Sequence, residues 1–188
     1  MKKFIILLSV ILLTNAVFAS DLPKTEKYYK SQIISQNCPY NTVGLIYSIQ
    51  KKKPELTEYF MLSGFDPNAV YVGFPATFYA VKVNDTESLE ILLKHGAYPD
   101  AVTMGGTLLI WAIENKNPEA VKIIIKYGAD VNKDYMDTIP LNQAIKTKNA
   151  EIVKTLLNAG ASANEKTNKL VEKSKVQDIK DLFSAITK

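Results

Sequence analysis

Very few side chains in this 188-residue sequence could take part in catalysis. His95 is the only histidine and Cys38 is the only cysteine, so a Ser-His-Asp or Cys-His system would have to use His95. His95 stands directly before Gly96 at a predicted helix end, where a basic side chain suits the helix dipole and can pack on a neighbour. Without a cluster of histidines and cysteines, a zinc site is not expected.

The aspartates and the paired glycines are better explained by turns than by acid–base or phosphate chemistry. Asp66, Asp100 and Asp130 are far apart in the sequence and belong to separate turns, which carboxylates commonly stabilise. Gly105-Gly106 stands at another turn and is not surrounded by a phosphate-binding loop pattern. We therefore expect neither an enzyme nor a bound cofactor or metal.

Four short stretches with similar residues recur at a fixed 32-residue step, and the rest of the chain is arranged around them. They are Gly64–Asn68, Gly96–Asp100, Gly128–Asn132 and Gly160–Asn164. Apolar residues precede the later glycines at spacings of three and four, which places them on one helix face. These columns are Leu89/Val121/Val153, Leu92/Ile124/Leu156 and Leu93/Ile125/Leu157. The pattern predicts stacked helical units in which the glycine ends a helix.

Two further columns predict a pair of helices in each unit. Ala80, Ala112 and Ala144 give the first helices a small residue that allows close approach, and Asp85, Asn117 and Asn149 are good N-cap residues for the second helices. The predicted units are 37–68, 69–100, 101–132 and 133–164, followed by a shortened C-terminal cap over 165–188. The first unit has Ser48 at the alanine position, as expected of an atypical terminal repeat.

The first twenty residues have the layout of an export signal. A basic start at Lys2 and Lys3 precedes an apolar run over Phe4–Leu13, and Val17–Ala19 is a small-x-small exit. We predict a signal peptide over residues 1–19, with an uncleaved anchor as the alternative. The mature protein is then expected to be periplasmic or secreted, and the composition favours a bacterial source.

Charge and cysteine content limit the partners of the mature chain. The formal charge of +4 falls to +2 when Lys2 and Lys3 leave with the predicted signal peptide, which is too little to favour nucleic acid or an anionic membrane. A single cysteine allows no internal disulfide, so we expect Cys38 to be a buried or loop thiol, with an intermolecular disulfide as the alternative. The polar, lysine-rich segment 20–36 predicts a tether running into a first helix. We expect a monomer.

An ankyrin repeat consists of a helix, a turn, a second helix, a glycine exit and an extended finger. The residues of this sequence resemble that family. Gly128–Asn132 matches the family pattern G-A-D-V-N completely. Against T-P-L-H-x-A, Ile139–Ala144 keeps Pro, Leu and Ala; Thr107–Ala112 keeps Thr, Leu and Ala; Pro75–Ala80 keeps only Ala. The family histidine is absent, and the step is 32 where about 33 is usual. The resemblance covers 37–188 and implies an all-α solenoid of about four repeats with a truncated C-terminal cap.

The resemblance also implies that a partner binds at the finger tips and on the exposed side of the first helices. The positions that vary in the family hold more aromatic and apolar residues here than solvated loops need. They are Tyr71, Val72, Phe74, Lys82 and Val83 in one unit, Thr103, Met104, Glu114 and Asn115 in the next, and Lys133, Tyr135, Met136, Lys146 and Thr147 in the third. The alternative is that the fingers pack on one another and bury part of this set. Tyr79 and Trp111 are predicted to belong to the core between repeats.

The expected function is therefore non-catalytic binding of a protein partner in an exported compartment. Tyr71, Phe74, Met104, Tyr135 and Met136 would anchor the partner, and lysines at the rim would steer it. The protein could act as an inhibitor or immunity protein that caps a toxic enzyme. The alternatives are an effector that acts on host proteins, a scaffold or maturation factor for an envelope enzyme, and a structural filler whose fingers are covered by segment 20–36.

Overall fold

The computed structural model describes residues 24–186, so the predicted signal peptide over 1–19 lies outside the described residues. The described chain forms eleven α-helices and two short antiparallel hairpins. The helices are α1 (Glu26–Ser35), α2 (Thr42–Gln50), α3 (Pro54–Leu62), α4 (Ala76–Val83), α5 (Thr86–Lys94), α6 (Leu108–Glu114), α7 (Pro118–Lys126), α8 (Pro140–Thr147), α9 (Ala150–Asn158), α10 (Glu165–Lys173) and α11 (Gln177–Ile186). The strands are β1 (Val70–Tyr71), β2 (Phe74–Pro75), β3 (Val102–Thr103) and β4 (Gly106–Thr107).

The helices stack in two rows, and the two helices of every unit pack against each other between these rows. The inner row consists of α2, α4, α6, α8 and α10, and the outer row consists of α3, α5, α7, α9 and α11. Each helix packs against its partner in the same unit and against the helices before and after it in its own row. The structure is therefore the predicted solenoid of helix pairs, in which a unit contacts mainly its neighbours.

The predicted N-cap column starts three of the outer helices. The side-chain oxygens of Asp85, Asn117 and Asn149 accept hydrogen bonds from the amides of Ser88, Ala120 and Ile152 at 3.1, 3.0 and 3.1 Å. Each bond satisfies one of the amides that a helix start leaves without an intrahelical partner. In the deviant first unit, Lys53 occupies this position and provides no side-chain cap.

The exit glycines end the outer helices in the left-handed conformation that the sequence predicts. Gly64, Gly96, Gly128 and Gly160 have φ between +76° and +94°. The next amide in each case donates to a carbonyl five residues back, as from Ala97 to Leu92 at 3.0 Å. This reversal ends the helix and directs the chain away from the stack, so it fixes where each finger begins.

The core runs through the whole stack and explains the serine of the first unit. Ala80, Ala112 and Ala144 are fully buried between the two rows. Ser48 is buried at the equivalent position, and its hydroxyl donates to the carbonyl of Leu45 at 2.7 Å. The same hydroxyl shares a hydrogen bond of 2.8 Å with Thr57, so the extra polar atom is satisfied within the core.

The predicted tether over residues 20–36 is, from Glu26 onwards, a packed helix. Helix α1 lies against α3, with the ring of Tyr29 at 5.9 Å from that of Tyr59. Nearer its start, the carboxylate of Glu26 lies beside Gly64 at the end of α3, so the two helices run antiparallel. Asn37, at φ +54°, ends α1 in place of the glycine that ends the outer helices. Because α1 has no exit glycine, the series of glycines at the 32-residue step does not extend to it.

The C-terminal unit is shortened, as predicted, because it lacks a finger. Only four residues separate Gly160 from the start of α10 at Glu165. Asn164 forms a capping box with Thr167, whose hydroxyl also donates to the Asn142 side chain of α8 at 2.6 Å.

Among residues 24–186, no helix combines the length and apolar character needed to cross a bilayer.

Candidate binding surface on the fingers

Three fingers project from the stack between successive units, over residues 65–75, 97–107 and 129–139. In the first finger Tyr71 pairs with Phe74 across the hairpin, and in the second Thr103 pairs with Gly106. The third finger has no strands, but the main chains of Tyr135 and Thr138 exchange two hydrogen bonds of 3.1 and 3.0 Å. The three fingers therefore repeat the same cross-hairpin pairing at the step of the glycines.

One apolar residue stands at the tip of each finger, and we call Val72, Met104 and Met136 the tip column. Their exposed fractions are 73%, 89% and 79%. Val72 and Met136 both have φ of +47°, a conformation in which apolar residues are strained and which hairpin turns usually fill with Asn or Gly. A small polar residue at these two positions would strain the backbone less. The stability of the fold therefore does not explain why Val72 and Met136 are apolar.

Further exposed apolar residues lie in the first two fingers, a few residues before the tip column in the sequence. Val70 and Val102, at equivalent positions of the first two fingers, are both exposed. Tyr98 is also exposed, in the exit turn that leads into the second finger. Sequence reasoning missed all three. The available signal was Tyr98 itself, which occupies the column where Asp66 and Asp130 stabilise turns.

Two of the predicted aromatic anchors mainly brace the first finger. Tyr71 and Phe74 are half-buried, and the Phe74 ring stacks on Phe78 with centroids 4.3 Å apart. The hydroxyl of Tyr79 donates to the main-chain carbonyl of Tyr71 at 2.8 Å. Phe78 in turn meets Trp111 of the next unit edge to face at 5.0 Å, in the predicted inter-repeat core. These rings hold the finger against its helix and leave only part of their surface for a partner.

Thr103, which was predicted to contact a partner, is buried, with only 9% of the residue exposed. Its hydroxyl oxygen accepts a hydrogen bond from the indole nitrogen of Trp111 at 2.8 Å and donates to the carbonyl of Gly106 at 3.3 Å. The indole also lies so close to Gly105 that a Cβ there would collide with the ring. Thr103 therefore fixes the second finger on α6.

The second and third fingers are joined by two side chains that were also predicted to contact a partner. Tyr135 is half-buried, and its hydroxyl donates to the main-chain carbonyl of Met104 at 2.7 Å. The ammonium of Lys133 lies 3.4 Å from the carbonyl of Asp100. The alternative reading, that fingers pack on one another, therefore accounts for part of the predicted set, while both methionine tips stay exposed.

The inner helices carry a row of charges in their last turns, at the helix ends that lie away from the fingers. Lys82, Glu114 and Lys146 occupy equivalent positions in successive units and are all exposed. Glu114 accepts a hydrogen bond from Gln143 of the next unit at 2.9 Å. The next residue in each unit makes contacts within the fold. Val83 is half-buried, Asn115 donates to the carbonyl of Val81 at 2.9 Å, and Thr147 donates to the carbonyl of Ala144 at 2.8 Å.

The residues that could do chemistry have structural partners in the described part of the chain. Nε2 of His95 lies 3.2 Å from Oε1 of Glu58, which joins α5 to α3. Asp66 and Asp130 each accept a hydrogen bond of 2.8 Å from the amide two residues later, as predicted for turn-stabilising aspartates. Cys38 is buried, and this burial raises the pKa of its thiol. Residues 24–186 contain no group of three or more side chains arranged to bind a metal.

Comparison with known proteins gives one family. The sequence model of a family described as ankyrin repeats, in three copies, matches residues 45–135 and, in a second register, 77–167. The two matches together span all three fingers and both rows of helices from α2 into α10. No curated protein in the comparison matches the chain.

Proposed function

Because the chain belongs to the ankyrin repeat family, a module of protein–protein interaction, we propose that it binds a partner protein through its fingers and inner helices without catalysing a reaction. The contact surface consists of the tip column, the exposed parts of Tyr71, Phe74 and Tyr135, and the charged row Lys82, Glu114 and Lys146. Lys133 lies at its rim. Thr103 supports the second finger from inside.

The observation that carries this proposal is the exposed, apolar tip column. Each tip leaves an apolar side chain in water, and the left-handed backbone at Val72 and Met136 costs roughly 1 kcal/mol or more per residue. Neither feature stabilises the fold. Apolar side chains that line up on adjacent loops are typical of surfaces that become buried in a complex.

The bracing of the fingers supports a preformed binding surface. Tyr79 holds the first finger, Trp111 holds the second through Thr103, and Tyr135 ties the third finger to the second. Because these bonds already order the fingers, little conformational entropy is lost in the three loops when a partner binds. Exposed lysines near the surface would raise the association rate with an acidic partner.

We further propose that the protein works outside the cytoplasm, as a periplasmic or secreted monomer. The pattern of Lys2, Lys3, the apolar run Phe4–Leu13 and the Val17–Ala19 exit supports cleavage after Ala19. Mass spectrometry of the protein from cell fractions tests this directly. A mature N-terminus at Ser20 supports export, and a full-length cytoplasmic chain contradicts it.

Within an exported compartment, we favour the role of an inhibitor or immunity protein that covers a toxic enzyme. The small size and preformed surface suit tight one-to-one binding. An effector that acts on host proteins and a scaffold or maturation factor for an envelope enzyme are the alternatives. A neighbouring toxin gene would favour the first role, and a neighbouring secretion-system cluster would favour the second.

The test of the binding surface is a pulldown from envelope extract with wild-type protein and the triple variant Val72→Ser, Met104→Ser, Met136→Ser. Loss of three apolar contacts should weaken binding of the recovered partner at least about tenfold. A control, Tyr28→Ser with Ile34→Ser, changes two exposed apolar residues on α1, which packs on the outer row, and should bind as the wild type does. Equal binding by both variants would contradict the finger surface.

A further inference from the structure

A cavity of about 220 Å³ lies on the edge of the solenoid away from the fingers, between the α8–α9 turn and the α10–α11 turn. Four lysines line it, two from each turn: Lys146, Lys148, Lys173 and Lys175. We propose that this cavity binds a small multivalent oxyanion of the phosphate class. The site shares only Lys146 with the contact surface described above, and it does not depend on the function proposed for that surface.

Like most lysines of the described chain, the four cavity lysines have no acidic partner. On the outer row, Lys122 pairs with Glu151 at 3.0 Å and Lys126 pairs with Glu90 at 2.6 Å. None of the four cavity lysines forms an ion pair within residues 24–186, and no carboxylate of that range lines the cavity. Four like charges around one space repel each other, and a bound anion would remove that repulsion.

The middle junctions of the stack do not gather such a set of charges, whereas the first has Lys51, Lys52 and Lys53 in the α2–α3 turn and Lys82 in the next unit. One unit before Lys146 and Lys148, the equivalent residues are Glu114 and Lys116, so an acid stands where the last junction has a lysine. Another unit earlier, the equivalent residues are Lys82 and Asn84. Groups of lysines are therefore found at the ends of the stack and are not a property of every repeat.

Helix capping explains only half of the arrangement. Lys146 and Lys173 lie in the last turns of α8 and α10, where positive charge favours the helix dipole. Lys148 and Lys175 lie beyond those turns, yet they line the same cavity. Helix α11 begins two residues after Lys175, and the carboxylate of Asp178 in its first turn offsets the positive end of its dipole.

The walls and the size of the cavity suit a compact anion with several charges. Ile145 is buried and Leu170 is half-buried, so part of the lining is apolar and would strengthen electrostatic attraction to a bound ion. The space of about 220 Å³ is many times the size of one water molecule. That space accepts phosphate or pyrophosphate with some of its water, and ammonium groups are suited to phosphate oxygens as point charges.

The test is a titration of the protein, expressed with its own N-terminus and purified after any processing, with sodium pyrophosphate at constant ionic strength. We expect saturable binding at one site, and amide signals of residues 145–148 and 170–176 should shift in NMR spectra. The double variant Lys148→Gln, Lys175→Gln should bind pyrophosphate at least about tenfold more weakly. Chloride at the same ionic strength should not compete.

The matched control is Lys51→Gln with Lys52→Gln, which removes the same charge at the other end of the stack. It should bind pyrophosphate as the wild type does. Three results would overturn the proposal: no saturation, shifts spread over the whole lysine-bearing surface, or equal weakening by both double variants. Because the NMR map is made on the wild type, the conclusion does not depend on how well a variant folds.

Discussion

At the scale of single residues, side-chain amides link each exit turn to the next. Asn68 accepts from the amide of Tyr98 at 2.8 Å and donates to the carbonyl of Gly96 at 3.2 Å. Asn132 makes the same two bonds at a later junction, at 2.7 and 3.1 Å. Asp100 occupies this column between them and accepts from the amide of Asp130 at 3.1 Å, but a carboxylate has no proton to donate.

We therefore expect Asp100→Asn to stabilise the protein. The new amide can donate to the carbonyl of Gly128, as its counterparts do at the other junctions, and one such bond contributes about 0.5–1.5 kcal/mol. The midpoint of thermal unfolding should rise by roughly 2–4 °C. The reverse change, Asn132→Asp, is the control and should lower the midpoint, whereas a destabilised Asp100→Asn protein would contradict the role of this column.

The ion pair between Glu90 and Lys126 makes the free energy of unfolding depend on pH in a direction that follows from the two pKa shifts. The hydrogen bond from Lys126 lowers the pKa of the Glu90 carboxyl, and the same bond raises the pKa of Lys126. A carboxyl whose pKa is lower in the folded state stabilises the fold above its unfolded pKa, near about 4.3, and loses this effect as pH falls through the folded value. The Lys126 contribution is lost in the opposite direction, as pH rises above about 10.4.

Glu90→Gln should therefore reduce stability at about pH 7 and have a smaller effect at about pH 3. Because the Lys126 side chain is 63% exposed and that of Glu90 is 40% exposed, solvent screens the pair and the difference at neutral pH should be small. Urea unfolding of wild type and variant at both pH values measures it. The exposed Glu87 on the same helix has no ion pair within the described chain, so Glu87→Gln is the control. An equal pH dependence in both variants would refute the assignment.

At the scale of elements, the sequence predicts whatever depends on local chemistry repeated at a fixed step. The caps Asp85, Asn117 and Asn149 and the exit glycines can be read from the sequence because each acts on backbone within a few residues. Thr103 cannot, because its burial depends on Trp111 folding back from the helix eight residues later. Segment 20–36 was predicted to run into a helix, but the bounds and packing of α1 cannot be read from the sequence, because Asn37 ends it and no 32-residue step leads to it.

The packing of α1 can be tested with two adjacent isoleucines. Ile33 is fully buried and Ile34 is 56% exposed, so the pair differs in environment but not in chemistry. Ile33→Ala should cost roughly 2–5 kcal/mol of unfolding free energy in urea titrations, because it leaves a cavity against the outer row. Ile34→Ala should change stability by less than about 0.5 kcal/mol. Similar small losses at both positions would show that α1 is not part of the folded stack.

At the scale of the whole molecule, stability should decrease from the middle of the stack towards its C-terminal end. Helix α6 packs between α4 and α8 and buries five residues, whereas α11 contacts mainly α9 and α10. Within the described side chains of α11, only Ile179 is fully buried. A helix with neighbours on one side opens without disturbing the rest of a repeat stack.

Amide hydrogen exchange should resolve this gradient. We expect amides of α11 to exchange at least about 100-fold faster than those of α6, because local opening of the last helix breaks few contacts. Ile179→Ala should accelerate exchange in α11 further and leave α6 unchanged. A single exchange rate for all slow amides, equal to that of global unfolding, would show instead that the stack opens only as one unit.

The constant 32-residue step has a consequence for how such a chain can change in length. Because the bonds that join neighbouring exit turns occur at each junction, a tandem duplication of residues 101–132 would meet compatible surfaces on both sides. The copy would carry a fourth finger and another methionine tip. Unequal recombination within the gene could thus enlarge the proposed binding surface, and the longer chain would fold with the same contacts between units.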